Sequence, residues 1–144
     1  MVYLDNAATS FPKPKEVVRA VAGTMEKIGA NPGRAGHKLS LAAGRIVEGC
    51  REALASYMDV VDSTRIVFCL NCTDALNMAI HGFVRHGDHV ISTVLEHNSV
   101  LRPLCELARL GVITLTLVTP DDQMQISPMK IEQTITPATR LCVI

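Results

Sequence analysis

Phe68-Cys69-Leu70-Asn71-Cys72-Thr73-Asp74-Ala75-Leu76-Asn77 is the stretch from which the fold of this 144-residue chain is read. Ile66, Val67 and Phe68 just before the turn are a short apolar run suited to a buried strand. After Thr73, the apolar residues Ala75, Leu76, Ala79, Ile80, Phe83 and Val84 fall at helical spacing. The pattern predicts a strand, a tight polar turn and an amphipathic helix. A strand that turns straight into a helix leaves backbone N–H groups free at the helix N-terminus. With the helix dipole, those donors suit an anion, most often a phosphate. Taken alone, the ten residues fit an ordinary turn capped by Thr73 and Asp74 better than an anion site. The rest of the chain shifts that balance.

Composition narrows the classes. The length fits one domain, and a 48% hydrophobic content with 3% aromatics and no Trp predicts an aliphatic core. Lys plus Arg balance Asp plus Glu at 14 each, so the basic excess of a nucleic-acid surface is missing. No stretch has the apolar length of a membrane span, and Met1-Val2-Tyr3-Leu4-Asp5 does not read as a signal peptide. The expectation is a cytoplasmic protein with neither nucleic-acid nor membrane partners. The five cysteines, Cys50, Cys69, Cys72, Cys105 and Cys142, are odd in number, which argues against a disulfide framework. Cys69-x-x-Cys72 has no second pair to complete a zinc site, and Cys69 falls in the expected strand. Most of the cysteines are expected to be small buried hydrophobes. No histidine spacing suggests a metal site.

Residues 1–14 read as an extended arm, with Pro12 and Pro14 excluding a helix. A helix is expected from Pro14, with Val17, Val18, Val21, Met25 and Ile28 as its stripe and Gly29 as its stop. Gly29 to His37 is a glycine-rich loop whose functional side chains are Arg34 and His37. By spacing alone a solvated connection is the simpler reading. The next helix runs from about Leu39 to Met58. Leu39, Ala42, Ile46, Cys50, Ala53, Leu54 and Tyr57 share its expected buried face, while Arg45, Glu48, Arg51 and Glu52 are expected in solvent. Gly44 and Gly49 suggest close packing.

From residue 65 on, strands and helices alternate. Strands are expected at 66–68, 89–94, 113–118 and 140–144. Helices are expected at 73–84, after Asn98 or Ser99 as cap, and at 128–135 behind Ser127-Pro128. Alternation of this kind gives βαβ units, that is, a parallel sheet with flanking helices. Ligands in such sheets sit beyond the carboxyl ends of the strands. The turns at 69–73 and 95–99 both lie on that edge, which brings His97 toward Thr73. A capping role for His97 and a ligand-binding role both remain open on this reading.

Four segments match one family. Tyr3-Leu4-Asp5-Asn6-Ala7-Ala8-Thr9-Ser10-Phe11-Pro12-Lys13-Pro14 resembles the opening of class V aminotransferase-type enzymes, especially cysteine desulfurases and selenocysteine lyases. Asn31-Pro32-Gly33-Arg34-Ala35-Gly36-His37 resembles their Arg-Gly-x-His loop. Asn71-Cys72-Thr73-Asp74-Ala75-Leu76-Asn77 resembles their Gly-Thr-Thr-Glu-Ala-Ile-Asn turn, and Leu95-Glu96-His97-Asn98-Ser99-Val100 resembles their Glu-His-x-Ala/Ser segment. The order and spacing of the four segments are more specific than any one of them, and the resemblance covers essentially the whole chain.

The resemblance implies the N-terminal part of a fold-type I transferase dependent on pyridoxal 5'-phosphate, with a parallel-rich sheet flanked by helices. It implies an arm, helix and active-site loop over 1–37 and an incomplete cofactor-binding large domain over 38–144. Cys72, through its backbone, and Thr73 would hold the cofactor phosphate. His97 would stack on the pyridine ring and assist proton transfers. Asn6, Ala7, Arg34 and His37 would line the substrate mouth. The partners implied are an amino-acid substrate, L-cysteine in the desulfurases, and a second subunit of a homodimer or a missing C-terminal half.

This sequence departs from the family pattern at Asn71 and Cys72, which replace a glycine and a threonine. Asn tolerates left-handed backbone, but loss of the hydroxyl at Cys72 removes one phosphate hydrogen bond, on the order of 1 kcal/mol. The family places its Schiff-base lysine, its aspartate to the pyridine nitrogen, its sulfur-accepting cysteine and its carboxylate-binding arginine downstream of the matched residues. Lys13, Lys15, Lys27, Lys38 and Lys130 fit no such lysine motif. The expectation is therefore a cysteine desulfurase-like enzyme present as its N-terminal portion and inactive alone. The alternatives are a non-catalytic fragment that binds an anion or a partner chain, or a class V aminotransferase or lyase with another substrate. A nucleotide-binding α/β domain is disfavoured, since neither G-x-G-x-x-G nor G-x-x-x-x-G-K-[ST] occurs.

Overall fold

A computed structural model describes residues 2–33 and 36–144. Two compact units divide the chain, Met1–Val67 and Phe68–Ile144. The division follows compactness; the 37/38 boundary expected from sequence followed function.

The first unit begins with an arm that closes on itself, where an extended segment was expected. Ala8 N–H donates to the Asp5 carbonyl (3.2 Å), the Tyr3 hydroxyl to the Thr9 carbonyl (3.0 Å), and Phe11 N–H to Asn6 Oδ1 (3.1 Å). The rings of Tyr3 and Phe11 meet edge to face at 5.4 Å. Short polar side chains capture nearby backbone donors here, and that local capture competes with an extended chain. Helix α1 (Lys15–Lys27) follows, and Gly29 ends it in the left-handed region at φ 45°, its N–H bonded to the Thr24 carbonyl. Its valine stripe forms as spaced, yet no α1 residue is buried.

Helix α2 (Lys38–Tyr57) buries Ser40, Ala43 and Ala55. The face expected to be buried is displaced, since Leu39, Ile46 and Tyr57 are exposed. The buried positions carry small side chains, which permit close approach. The Ser40 hydroxyl donates to the Asn31 carbonyl (2.6 Å) and pins the loop to the helix. Gly44 faces the Pro32 carbonyl, whereas Gly49 meets only open space, so close packing holds at the first glycine and not at the second. Glu48 and Arg51 are not simply solvated. Arg51 Nε donates to the Ile66 carbonyl (2.9 Å), and Glu48 accepts from the Ser63 hydroxyl (3.3 Å) in the short 3-10 turn Ser63–Arg65.

No strand forms at 66–68; the sheet has three strands. The run is extended, but Arg51 occupies the Ile66 carbonyl and no described strand runs alongside it. Apolar spacing favours an extended backbone; a ladder also needs a neighbour. Cys69 therefore lies outside any strand.

The second unit contains α3 (Cys72–Phe83), β1 (Asp88–Thr93), α4 (Asn98–Arg109), β2 (Ile113–Val118), α5 (Pro128–Thr134) and β3 (Thr139–Cys142). The strands lie in the order β2-β1-β3, all parallel. Central β1 is buried from His89 to Thr93, as expected of a strand covered on both faces. Ile80, Val90, Val100, Leu104, Leu107 and Ile113 form one aliphatic core. Helix α4 packs on α3 and β2. His89 ties the sheet together: Nδ1 meets Thr139 Oγ1 on β3, and Nε2 meets Thr116 Oγ1 on β2, both at 2.8 Å. No helix among the described residues is long and apolar enough to cross a membrane.

Candidate cofactor site

The cap of α3 is Asn71, not Thr73 or Asp74. Its Oδ1 accepts from Asp74 N–H (2.9 Å), and its carbonyl accepts from Ala75 N–H (3.1 Å). The Asp74 carboxylate turns back to accept from Leu70 N–H (3.3 Å). A side-chain oxygen at the cap and an acid three residues on satisfy donors on both sides of the turn. The replacement of the family's glycine by Asn71 thus supplies a cap. Two donors of the first turn, the Cys72 and Thr73 N–H groups, have no hydrogen-bond partner among the described residues. They belong to the two residues that, by the family resemblance, would hold a phosphate.

The second turn is built by His97, which caps α4. Its Nδ1 accepts from Ser99 N–H (3.1 Å) and lies 2.7 Å from Ser99 Oγ. An accepting Nδ1 places the proton of the neutral ring on Nε2. The capping role thus holds for His97 and leaves the ring face and Nε2 for other contacts. Asn98 and Ser99, the caps expected from sequence, are the first two residues of the helix.

Thr73 and His97 line one cavity of about 350 Å³, together with Asn77, Asn98, Ser99, Arg102 and Pro103. Asn77 joins its walls. Its Nδ2 donates to the Thr73 carbonyl (2.8 Å) within α3 and to the Ser99 carbonyl (3.3 Å) on α4. Pro103 explains why that carbonyl is free: four residues after Ser99, it lacks the N–H that would bond there. Asn77 and Arg102 were not singled out from the sequence. A proline four residues past a helical serine is a readable sign of an unpaired carbonyl, but not of which side chain fills it.

Cys72 opens α3 and is exposed, although it does not line the cavity. In the first unit, His37 caps α2 through Nδ1, accepting from Ser40 N–H (3.3 Å). There too Asn6 holds the arm closed and Ala7 is exposed. Arg34 lies outside the described residues. All five cysteines are free. Cys50, Cys72, Cys105 and Cys142 are exposed and Cys69 is half-buried, against the expectation of buried cysteines. Cys50, Cys72 and Cys105 take outward positions on helices and Cys142 one on the edge strand β3.

The family model for aminotransferase class V matches residues 2–144. A probable cysteine desulfurase of Borreliella burgdorferi is 34% identical over 146 residues, covering 98% of this chain and 34% of its own length. The solved apo structure of a cysteine desulfurase from Thermococcus onnurineus superposes with a TM-score of 0.85 at 32% identity, over 98% of this chain and 35% of that one. SspA, solved in complex with cysteine, gives a TM-score of 0.83 at 27% identity, over 99% of this chain and 41% of its own. The chain therefore spans about a third of the length of the desulfurases it matches. Its α/β architecture is the N-terminal part of the fold-type I transferase fold, and the chain belongs to the aminotransferase class V family.

Proposed function

We propose that the chain is the N-terminal portion of a cysteine desulfurase-like enzyme that uses pyridoxal 5'-phosphate to take sulfur from L-cysteine, leaving alanine. The observation that carries this reading is the cavity shared by Thr73 and His97, with two backbone donors free at the start of α3. The donor set fits the cofactor: N–H groups and a hydroxyl suit a phosphate, and an imidazole held edge-on by Ser99 offers a flat π-face to a pyridine ring.

When bound, the cofactor supplies the electron sink that eases bond cleavage in an amino acid. The residues of this chain bind and orient. Cys72 and Thr73 would hold the phosphate by their N–H groups, with the Thr73 hydroxyl as a further donor. Asn77 fixes the spacing of the two walls. His97, with Nδ1 held by Ser99, would present its ring to the pyridine and hold a proton at Nε2. Asn6, Ala7, Arg34 and His37 remain the proposed substrate mouth, and 1–37 and 38–144 the proposed functional division. L-Cysteine as substrate is supported by the desulfurase relatives and by the cysteine-bound SspA. A homodimer, or completion by a second chain, belongs to the same reading. So does a reducing, cytoplasmic location, which suits five unpaired thiols.

No lysine of the chain fits the family's cofactor lysine, so the chain alone is expected to bind without turnover. A titration of the purified chain with pyridoxal 5'-phosphate, followed by absorption, tests this. Saturable binding that weakens in Thr73→Ala and His97→Ala is expected, with no sulfide released from L-cysteine. Binding indifferent to both substitutions overturns the cofactor reading.

A further inference from the structure

Of the described residues lining the cavity that Thr73 and His97 share, one carries a fixed charge, Arg102. It stands on α4 one turn beyond Asn98, on the wall opposite Thr73. The acid placed to neutralise it is Glu106, four residues on. Glu106 is instead committed to Arg109, whose guanidinium donates to both of its carboxylate oxygens at 2.7 and 2.8 Å. No salt bridge involves Arg102 among the described residues. Among the described residues no acid lines the cavity; Asp74 lines an adjoining hollow with Leu70 and Asn71 that shares Thr73 and Asn77 with the cavity, and its carboxylate is bonded to Leu70 N–H. The cavity therefore combines an un-neutralised guanidinium on one wall with the Thr73 hydroxyl and free N–H on the other.

We propose that Arg102 is a second-wall anchor for a phosphate monoester, gripping from α4 the same group that Thr73 holds from α3. In the cofactor reading above, on which this rests, that group is the phosphate of pyridoxal 5'-phosphate. A planar guanidinium fork matches two phosphate oxygens at once, which a lysine does not. It also offsets the hydrogen bond forgone where Cys72 stands in place of a threonine. A carboxylate of an amino acid shares the same oxyanion chemistry, so the test carries both.

The full chain, labelled with 15N, is titrated separately with inorganic phosphate, pyridoxal 5'-phosphate, pyridoxal and L-alanine, as wild type, Arg102→Gln, Arg102→Lys and Arg109→Gln. The expected result is that Arg102→Gln weakens both phosphate-bearing ligands at least about tenfold and leaves pyridoxal unchanged. Arg102→Lys recovers part of the loss, Arg109→Gln, which releases Glu106 toward Arg102, weakens both phosphate-bearing ligands less than Arg102→Gln does, and the Arg102 Nε–H signal moves with phosphate. Equal losses for pyridoxal and its phosphate would make Arg102 merely structural and overturn the inference, as would an Arg102-dependent preference for alanine. Pyridoxal 5'-phosphate bound equally by wild type and Arg102→Gln keeps the cofactor and removes Arg102. Phosphate bound through Arg102 with no gain from the pyridoxal ring keeps Arg102 and removes the cofactor. Failure of the wild type to bind either phosphate ligand overturns both.

Discussion

The two units carry similar apolar patterning and do different things with it. In α1, Val17, Val18, Val21 and Met25 fall on one helical stripe, yet Val21 is 56% exposed and Met25 74%. In α4, Val100, Leu104 and Leu107 fall on an equivalent stripe and are buried, Leu104 completely. The difference is the sheet. Parallel strands give α3 and α4 a broad aliphatic surface to cover, whereas the described residues of the first unit form only helices and loops. That unit is pinned by polar contacts instead: Tyr3 to Thr9, Asn6 to Phe11, Ser40 to Asn31, Arg51 to Ile66 and Glu48 to Ser63. An apolar stripe becomes core only where another element supplies a face for it.

The largest expected effect tests that contrast directly. Leu104→Ala should destabilise the second unit by about 2–5 kcal/mol, the range for a cavity in a packed core. Val21→Ala should cost less than about 1 kcal/mol, since its side chain already meets solvent. Urea unfolding of each variant checks both, and equal losses would break the comparison. Next is His89, 5% exposed and bonded to a threonine on each neighbouring strand. His89→Ala leaves two hydroxyls without their partner and should cost about 1–3 kcal/mol. Hydrogen exchange should then rise along β1, β2 and β3 and stay unchanged in α1.

Much of this architecture is legible in the sequence. Helical periodicity sets α1 to α4 within a residue or two, and the expected glycine stop at Gly29 adopts positive φ. The later strands emerge because apolar alternation and burial agree there. What escapes is whatever depends on a distant partner. The run 66–68 has the composition of a strand, but Arg51, fifteen residues upstream, takes the Ile66 carbonyl. The caps are misassigned by a few residues because several polar side chains in each turn compete, and only geometry selects Asn71 and His97. In the site, Thr73 and His97 are legible from two polar turns that open helices, although only the turn before His97 follows a strand of the sheet. Asn77 and Arg102 are not, since neither residue type distinguishes a cavity wall from a solvated helix face.

Two smaller effects sharpen the contrast. Asn71→Ala removes the α3 cap and should lower stability by about 1 kcal/mol, read as a drop in the melting temperature of the second unit. The smallest effect belongs to Glu106, an exposed carboxyl held below its ordinary range by its hydrogen bonds to Arg109. A carboxyl lowered on folding stabilises above its unfolded pKa, and that contribution is lost as pH falls through the folded value. Glu106→Gln should thus differ slightly from wild type at neutral pH and match it in acid, below the carboxylate range. A difference that persists in acid would assign Glu106 a packing role instead.

The account turns on whether the start of α3 and the His97 ring hold one ligand between them. A crystal structure of the chain grown with pyridoxal 5'-phosphate measures this most directly. The account predicts the phosphate within hydrogen-bond distance of the Cys72 and Thr73 N–H groups, with the pyridine ring against the imidazole of His97. A phosphate seated elsewhere, or a ring that leaves His97 untouched, would contradict it.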